Sequence, residues 1–271
     1  MTVEERKELA KTTRDHEVLT SLSRDEESYV REYVAKNPNT PAEVLVELNK
    51  DEEADVRYQV AGNHNTSIDI LVELSRDQYE SLRSAVALNP NIPVDILVKL
   101  SRDQDESVRS AVAMNPNTPV DILVKLSRDR GHAGARSKVA VHPNTPVDIL
   151  VKLSRDEDKW VRSAVAYNPN TPVDILVKLS KDQRYEVRYH AAMNPIAPSE
   201  TLAELSRDEN VDVLRYVAEN PNTPLETLAE LSRDQHNWVH SAVAKNPKWK
   251  ALKKLGILDQ AIAASKYLGI F

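Results

Sequence analysis

The stretch Pro93-Val94-Asp95-Ile96-Leu97-Val98-Lys99-Leu100-Ser101-Arg102-Asp103 recurs letter for letter from Pro119 and from Pro146, and again from Pro172 with Lys181 in place of the arginine. A catalytic centre is one constellation in one place, so verbatim recurrence points to a unit that stacks on copies of itself. With its final leucine as a ruler, the equivalents are Leu22, Leu48, Leu74, Leu100, Leu126, Leu153, Leu179, Leu205 and Leu231, at a spacing of 26 residues with one step of 27.

Each unit reads as two helices. The first opens at Thr118-Pro119-Val120-Asp121, with Thr as the expected N-cap, Pro at the first helical position and the acid near the positive end of the helix dipole. The same start recurs at Thr40, Thr145, Thr171 and Thr223. Ile122, Leu123 and Leu126 form its apolar face, and Val120 and Val124 widen the arc, which predicts a helix packed between neighbours. The second helix is expected after the Asp of Ser-Arg-Asp, from Asp103-Gln104-Asp105-Glu106, with Val108, Ala111 and Val112 at helical spacing. It stops at Asn115-Pro116, because a residue before proline is pushed out of the helical region. Two helices per unit, almost no strand signal and five glycines in the chain predict an all-α tandem array, an α-solenoid of about nine two-helix repeats.

The two ends depart from the pattern, as caps must where an array has no further neighbour to cover it. The expected organisation is an N-terminal cap and partial repeat over 1–21, tandem repeats over 22–247 and a helical C-terminal cap over 248–271. Within the array, Arg130 to Ala135 holds the extra residue and two of the five glycines, which predicts a frayed second helix or a local bend. The apolar ending Leu268-Gly269-Ile270-Phe271 reads as a segment that folds back on the last repeat.

At this point the residues resemble a known family. The run Val108-Arg109-x-x-Val112-Ala113-x-Asn115-Pro116-x-Thr118-Pro119, followed by Asp121, Leu123 and Leu126, is similar to the leucine-rich repeat variant family, over about residues 15 to 247. The resemblance implies a right-handed superhelix of alternating α and shorter helices, HEAT-like in kind, and no general enzymatic activity. Two departures stand out. The prolines that often follow the Asp in the family are absent, so a fuller second helix is expected. One family member is associated with an iron–sulfur cluster in a cysteine-rich region, whereas this chain has no cysteine.

Composition removes several chemistries. Without cysteine there is no disulfide, thiolate nucleophile or zinc–thiolate site. The N-terminal MTVEERKELAKTTRD lacks an apolar signal core and no run is long enough to span a membrane, so a cytoplasmic protein with no membrane association is expected. The net charge is −6, divided as +5 from Lys245 onward and −11 before it. No Gly-rich phosphate loop, HExxH or nucleophile elbow occurs, so no catalytic residue and no cofactor is expected. Of the seven histidines, only His236 and His240 have the spacing of helical metal ligands, and no third ligand stands beside them; no metal site is assigned.

Polar columns run through the repeats. Arginine recurs at Arg31, Arg57, Arg83, Arg109, Arg136, Arg162 and Arg188 before Leu214 and His240 take its place; aspartate recurs from Asp25 to Asp234; asparagine recurs from Asn37 to Asn246, with His142 in the gap. The arginines are expected to form a structural ladder by pairing with an aspartate of their own or the next unit. The competing reading is a row of guanidinium groups for phosphates. Residues that vary over this constant frame include the aromatics Tyr29, Tyr79, Trp160, Tyr185 and Trp238 before the arginine column, and Tyr33, Tyr58, Tyr189 and Tyr216 after it. Aromatics mixed with acids suit protein-interface anchors. The expected function is therefore a non-enzymatic scaffold that binds a protein or peptide through an extended, largely acidic surface. One alternative is nucleic-acid binding through the arginines and the basic tail of Lys245, Lys248, Lys250, Lys253 and Lys254. Another is a structural or designed array without a dedicated ligand.

Overall fold

The computed structural model describes residues 1–131 and 133–268, with side chains described to residue 265. His132, the apolar side chain of Leu268 and residues 269–271 therefore lie outside the described residues. The chain divides into two compact units, Met1–Ala135 and Arg136–Phe271, and the division falls in the irregular repeat.

Among the described residues all helices are α-helical and no strand occurs. The first unit contains α1 Val3–Thr12, α2 His16–Leu22, α3 Ser28–Lys36, α4 Ala42–Leu48, α5 Ala54–Gly62, α6 Ile68–Leu74, α7 Glu80–Leu88, α8 Val94–Leu100, α9 Glu106–Met114 and α10 Val120–Leu126. Helix α11, Gly134–Val141, begins at the division. The second unit continues with α12 Val147–Leu153, α13 Lys159–Tyr167, α14 Val173–Leu179, α15 Tyr185–Met193, α16 Ser199–Leu205, α17 Val211–Glu219, α18 Leu225–Leu231, α19 Asn237–Lys245, α20 Pro247–Lys254 and α21 Leu258–Leu268. The even-numbered helices from α2 to α18 are the first helices of the repeats, and the odd-numbered ones from α3 to α19 are the second. The fold class is thus an all-α helical-repeat solenoid.

The quoted stretch supplies the first-helix layer. In α8, Ile96, Leu97 and Leu100 are buried, as are Val108, Ala111, Val112 and Ala113 of α9, on which α8 packs. Burying each of the larger side chains is worth about 2 kcal/mol. The second helices stack directly on one another, α7 on α9 and α13 on α15, and first helices pack on them, as α8 does on α7 and α9. Alanine at positions such as Ala85, Ala111 and Ala164 permits that close approach, since it adds no bulk beyond Cβ.

Two local expectations change. The threonine is not the N-cap: the proline takes that place, and the Thr118 hydroxyl donates 2.5 Å to the Val112 carbonyl, at the open C-terminal end of the preceding helix. Val120, the first residue of α10, is exposed rather than part of the packed face, because it precedes the turn that aims Ile122 inward. The second helix begins at Glu106, after the Asp of Ser-Arg-Asp as expected, and the Asp103 carboxylate accepts the N–H of Asp105 in the extended approach to it. That helix has nine residues. In the irregular repeat, α11 has eight, and the N–H of Gly134 at its start donates to the Glu106 carboxylate of the preceding repeat. A Cβ on Gly134 would lie 2.5 Å from that carboxylate, so the glycine fits a close approach.

In the first unit, α1 packs on α2 and α3. In the second, Gly256 at φ +70° turns the chain from α20 into α21, which packs on α18. Among the described residues no helix is long and apolar enough to cross a membrane.

Candidate binding surface

The arginine column is built into the array. Arg31 Nε lies 2.6 Å from Asp51 Oδ2 and its Nη2 lies 3.0 Å from Oδ1, while Nη1 donates to the carbonyls of Asp25 and Glu26. Arg83 with Asp103, Arg109 with Asp129, Arg136 with Asp156, Arg162 with Asp182 and Arg188 with Asp208 repeat the two-pronged bond, and Arg57 with Asp77 is a looser version at 3.6 Å. Arg31, Arg83, Arg109, Arg162 and Arg188 thus reach the aspartate of the next unit with the fork and the backbone of their own unit with the remaining nitrogen. Burial opposes the charge on Asp51, Asp103, Asp156 and Asp182, but the arginine hydrogen bond and a backbone N–H outweigh it and hold these carboxyls below their ordinary range.

The two ends of this ladder differ. Arg6 of α1 holds Asp25 with the same fork, Nε 2.6 Å from Oδ2 and Nη2 3.1 Å from Oδ1. Leu214 replaces the arginine that would meet Asp234, and His236 Nδ1 stands 2.8 Å from that carboxylate instead. His240 takes the last arginine position, with Nε2 buried and unpartnered. The described residues contain no cluster of three groups able to hold a metal ion.

Asparagine ties successive repeats through backbone. Asn89 Nδ2 donates to the carbonyls of Ala61 and Asn63, and Asn91 N–H donates to its Oδ1. Asn194 and Asn220 do the same in the second unit. His142 substitutes in part, its Nδ1 accepting from the Asn144 N–H.

The aromatic columns separate into two groups. Tyr29, Tyr58, Tyr79, Trp160, Tyr185 and Trp238 are exposed, with Tyr29 at 65%, Trp160 at 53% and Trp238 at 74%. Tyr33, Tyr189 and Tyr216 are half-buried. Tyr189 and Tyr216 stack with centroids 5.3 Å apart and pack against the core of the second unit, and Lys7 lies over the Tyr33 ring. The second group fills space between helices. In the basic tail, Lys245, Lys250, Lys253 and Lys254 are exposed, whereas Lys248 donates to the Thr223 carbonyl and burial lowers its pKa.

One column escaped the sequence reading. The last residue of successive second helices is apolar and exposed: Leu88 and Met114 in the first unit, and Val141, Tyr167 and Met193 in the second. Its signal was a large apolar residue directly before the Asn-Pro or His-Pro of five successive repeats, hidden because an apolar helix end is ordinarily read as core. In the second unit this column meets Trp160 in a groove of about 270 Å³ over α13, with walls from α11 and α15. Trp160, Ser163, Ala164 and Tyr167 occupy one face of α13 at the i, i+3, i+4, i+7 spacing. Lys159 lies 4.8 Å from the Trp160 ring centroid and pairs with Glu186, so the indole rests against a held side chain. His190 closes one side; burial lowers its pKa, while Nδ1 lies 2.5 Å from the Ser163 hydroxyl and 3.0 Å from the Glu186 carbonyl.

Residues 211–236 match the family model described as leucine rich repeat variant. That stretch is similar to a leucine-rich repeat variant repeat. A solved structure described as a leucine-rich repeat variant with a novel repetitive structural motif is 27% identical, covers 82% of this chain and 87% of its own, and superposes with a TM-score of 0.55. The leucine-rich repeat variant likeness thus extends over most of the chain as fold. A crystal structure of an engineered protein is 18% identical over 89% of this chain and 92% of its own, with a TM-score of 0.41. A designed armadillo repeat protein is 18% identical over 93% of this chain and all of its own, with a TM-score of 0.21; neither bears on function. No curated protein matches the chain.

Proposed function

We propose that this chain is a non-enzymatic repeat scaffold that binds a protein or peptide along its second helices, with exposed aromatics as anchors on an otherwise largely acidic molecule. The observation that carries this reading is the exposure of Tyr29, Trp160 and Trp238 on helices that are themselves firmly stacked. A large rigid ring gives much contact area for little lost freedom, which is what an interface anchor needs. Nothing in the packing of the array requires a tryptophan that is 74% exposed.

The nucleic-acid alternative draws its cations from the ladder and the tail. The ladder arginines are already occupied by aspartates and carbonyls, which leaves the exposed Lys245, Lys250, Lys253 and Lys254 to meet phosphates. The two readings differ in salt dependence, since phosphate contacts release counterions and aromatic contacts do not. The test compares the wild-type chain with a Tyr29→Ser, Trp160→Ser, Trp238→Ser variant as bait in lysate of the source cells. Loss of a salt-resistant bound protein in the variant supports the scaffold reading. Unchanged capture by the variant, or bound nucleic acid released steeply by salt, overturns it.

A further inference from the structure

Resting on the scaffold reading above, we infer that the groove over α13 is a subsite for one aliphatic or aromatic side chain of an acidic peptide segment, with Lys138 pairing the neighbouring carboxylate.

The size of the groove limits the occupant. About 270 Å³ falls below the roughly 300–1,000 Å³ of sites that enclose a whole drug-sized ligand, and suits a single side chain with its adjoining backbone. Its lining is largely apolar: Trp160 and Tyr167 stand at the two ends, Val141 forms part of one wall, and the small residues Ser163 and Ala164 leave the floor low. The same column carries Leu88 and Met114 in the first unit, but there the helix face is Ser84 and Ala85 or Ser110 and Ala111, with no tryptophan to make an end wall. The second unit therefore holds a built depression at this position.

Charge decides which peptide fits. The lysines of the neighbouring first helices are internally matched, Lys152 with Asp148 and Lys178 with Asp174, and Lys159 on the same surface is taken by Glu186. Lys138, half-buried in the groove wall on α11, has no carboxylate partner among the described residues. An ammonium on the edge of an apolar recess favours an anionic group there, and the partly desolvated setting makes that preference larger than on open surface. The opposite wall adds a polar handle. His190 Nδ1 is engaged by Glu186 and Ser163, while Nε2 makes no hydrogen bond among the described residues. With Nδ1–H donating to the Glu186 carbonyl, Nε2 is an acceptor for a peptide N–H.

The experiment follows the Trp160 indole N–H signal in the ¹⁵N-labelled full chain, assigned by a Trp160→Phe variant, during titration with three capped tripeptides: Ac-Asp-Leu-Asp-NH₂, Ac-Asn-Leu-Asn-NH₂ and Ac-Lys-Leu-Lys-NH₂. The acidic peptide is expected to move the signal and to bind about threefold more tightly than the amide peptide, the size of a single partly exposed charge pair, with the basic peptide weakest. Lys138→Ala should bring the acidic peptide to the level of the amide peptide without changing the melting temperature. Tyr167→Ala should weaken all three. Equal affinities for the three peptides, an unchanged preference in Lys138→Ala, or no movement of the signal overturns the proposal. These outcomes are separate from the lysate test: loss of the partner by the aromatic variant alongside indiscriminate peptide binding removes the groove assignment and leaves the scaffold reading intact.

Discussion

Arg109 on α9 holds Asp129 twenty residues further along the chain, with Nε 2.5 Å from Oδ2 and Nη2 3.0 Å from Oδ1, and uses its third nitrogen on the carbonyls of Asp103 and Gln104. One side chain thereby fastens three points of two consecutive repeats. Arg109→Ala is expected to cost about 2 kcal/mol, since it leaves a half-buried carboxylate and two carbonyls without their donor. Arg109→Lys should recover only part of this, because an ammonium lacks the fork. The urea midpoint of each variant measures both, and an unaltered midpoint for Arg109→Ala would remove the ladder from the account of stability.

Asn89 presents a neutral version of the same relationship. Its amide serves two carbonyls of the preceding repeat, and all of these groups are buried. Asn89→Ala should therefore cost about 3 kcal/mol, more than the arginine change, because the orphaned carbonyls lie beyond the reach of water. Urea unfolding monitored by circular dichroism gives the comparison; a smaller loss than that of Arg109→Ala contradicts it.

Acid should act on the array in two stages. Burial depresses the pKa of His190 below its ordinary 6.5, so the unfolded chain binds that proton first and stability starts to fall as pH drops below 6.5. The paired aspartates have native pKa values below the ordinary 3.8. Their contribution is complete above 3.8 and is lost as pH falls through the lower native values, which makes the second stage the steeper. Thermal melts across this range should show both stages, and His190→Gln should flatten the first while leaving the second.

Neighbouring residues at one end of α19 provide a control on exposure. Trp238→Ser should change stability by less than about 0.5 kcal/mol, as for other surface positions. Val239→Ala should cost about 2 kcal/mol, because Val239 is fully buried and its loss leaves a cavity. If Trp238→Ser proved as damaging as Val239→Ala, the indole would be a packing residue and not an anchor.

Much of the frame was legible because a repeated unit states its constraints repeatedly. Leu97, Leu100 and Val112 recur at fixed intervals since every interface between units makes the same demand, and Arg109 with Asp129 is visible as two columns running in step. The column of Leu88, Met114, Val141, Tyr167 and Met193 was not legible as surface. An apolar residue at the end of a helix looks the same in a sequence whether it faces the core or solvent, and only the rotation of the second helix decides. Thr118 was misread for a related reason: a hydroxyl before Pro signals a cap, but here it donates back to the Val112 carbonyl at the end of the preceding helix.

The sequence by itself determined the helical repeat, its period, the places where each helix stops and the absence of thiol chemistry, because these depend on local backbone preference and on spacing along the chain. The tertiary structure alone decided that Arg109 meets the following aspartate rather than its own, that Tyr189 and Tyr216 stack inside while Trp160 and Trp238 remain outside, and that Trp160, Lys138 and His190 border one groove. Those outcomes depend on how helices 26 residues apart are rotated against each other when they stack, and spacing along the chain does not carry that angle.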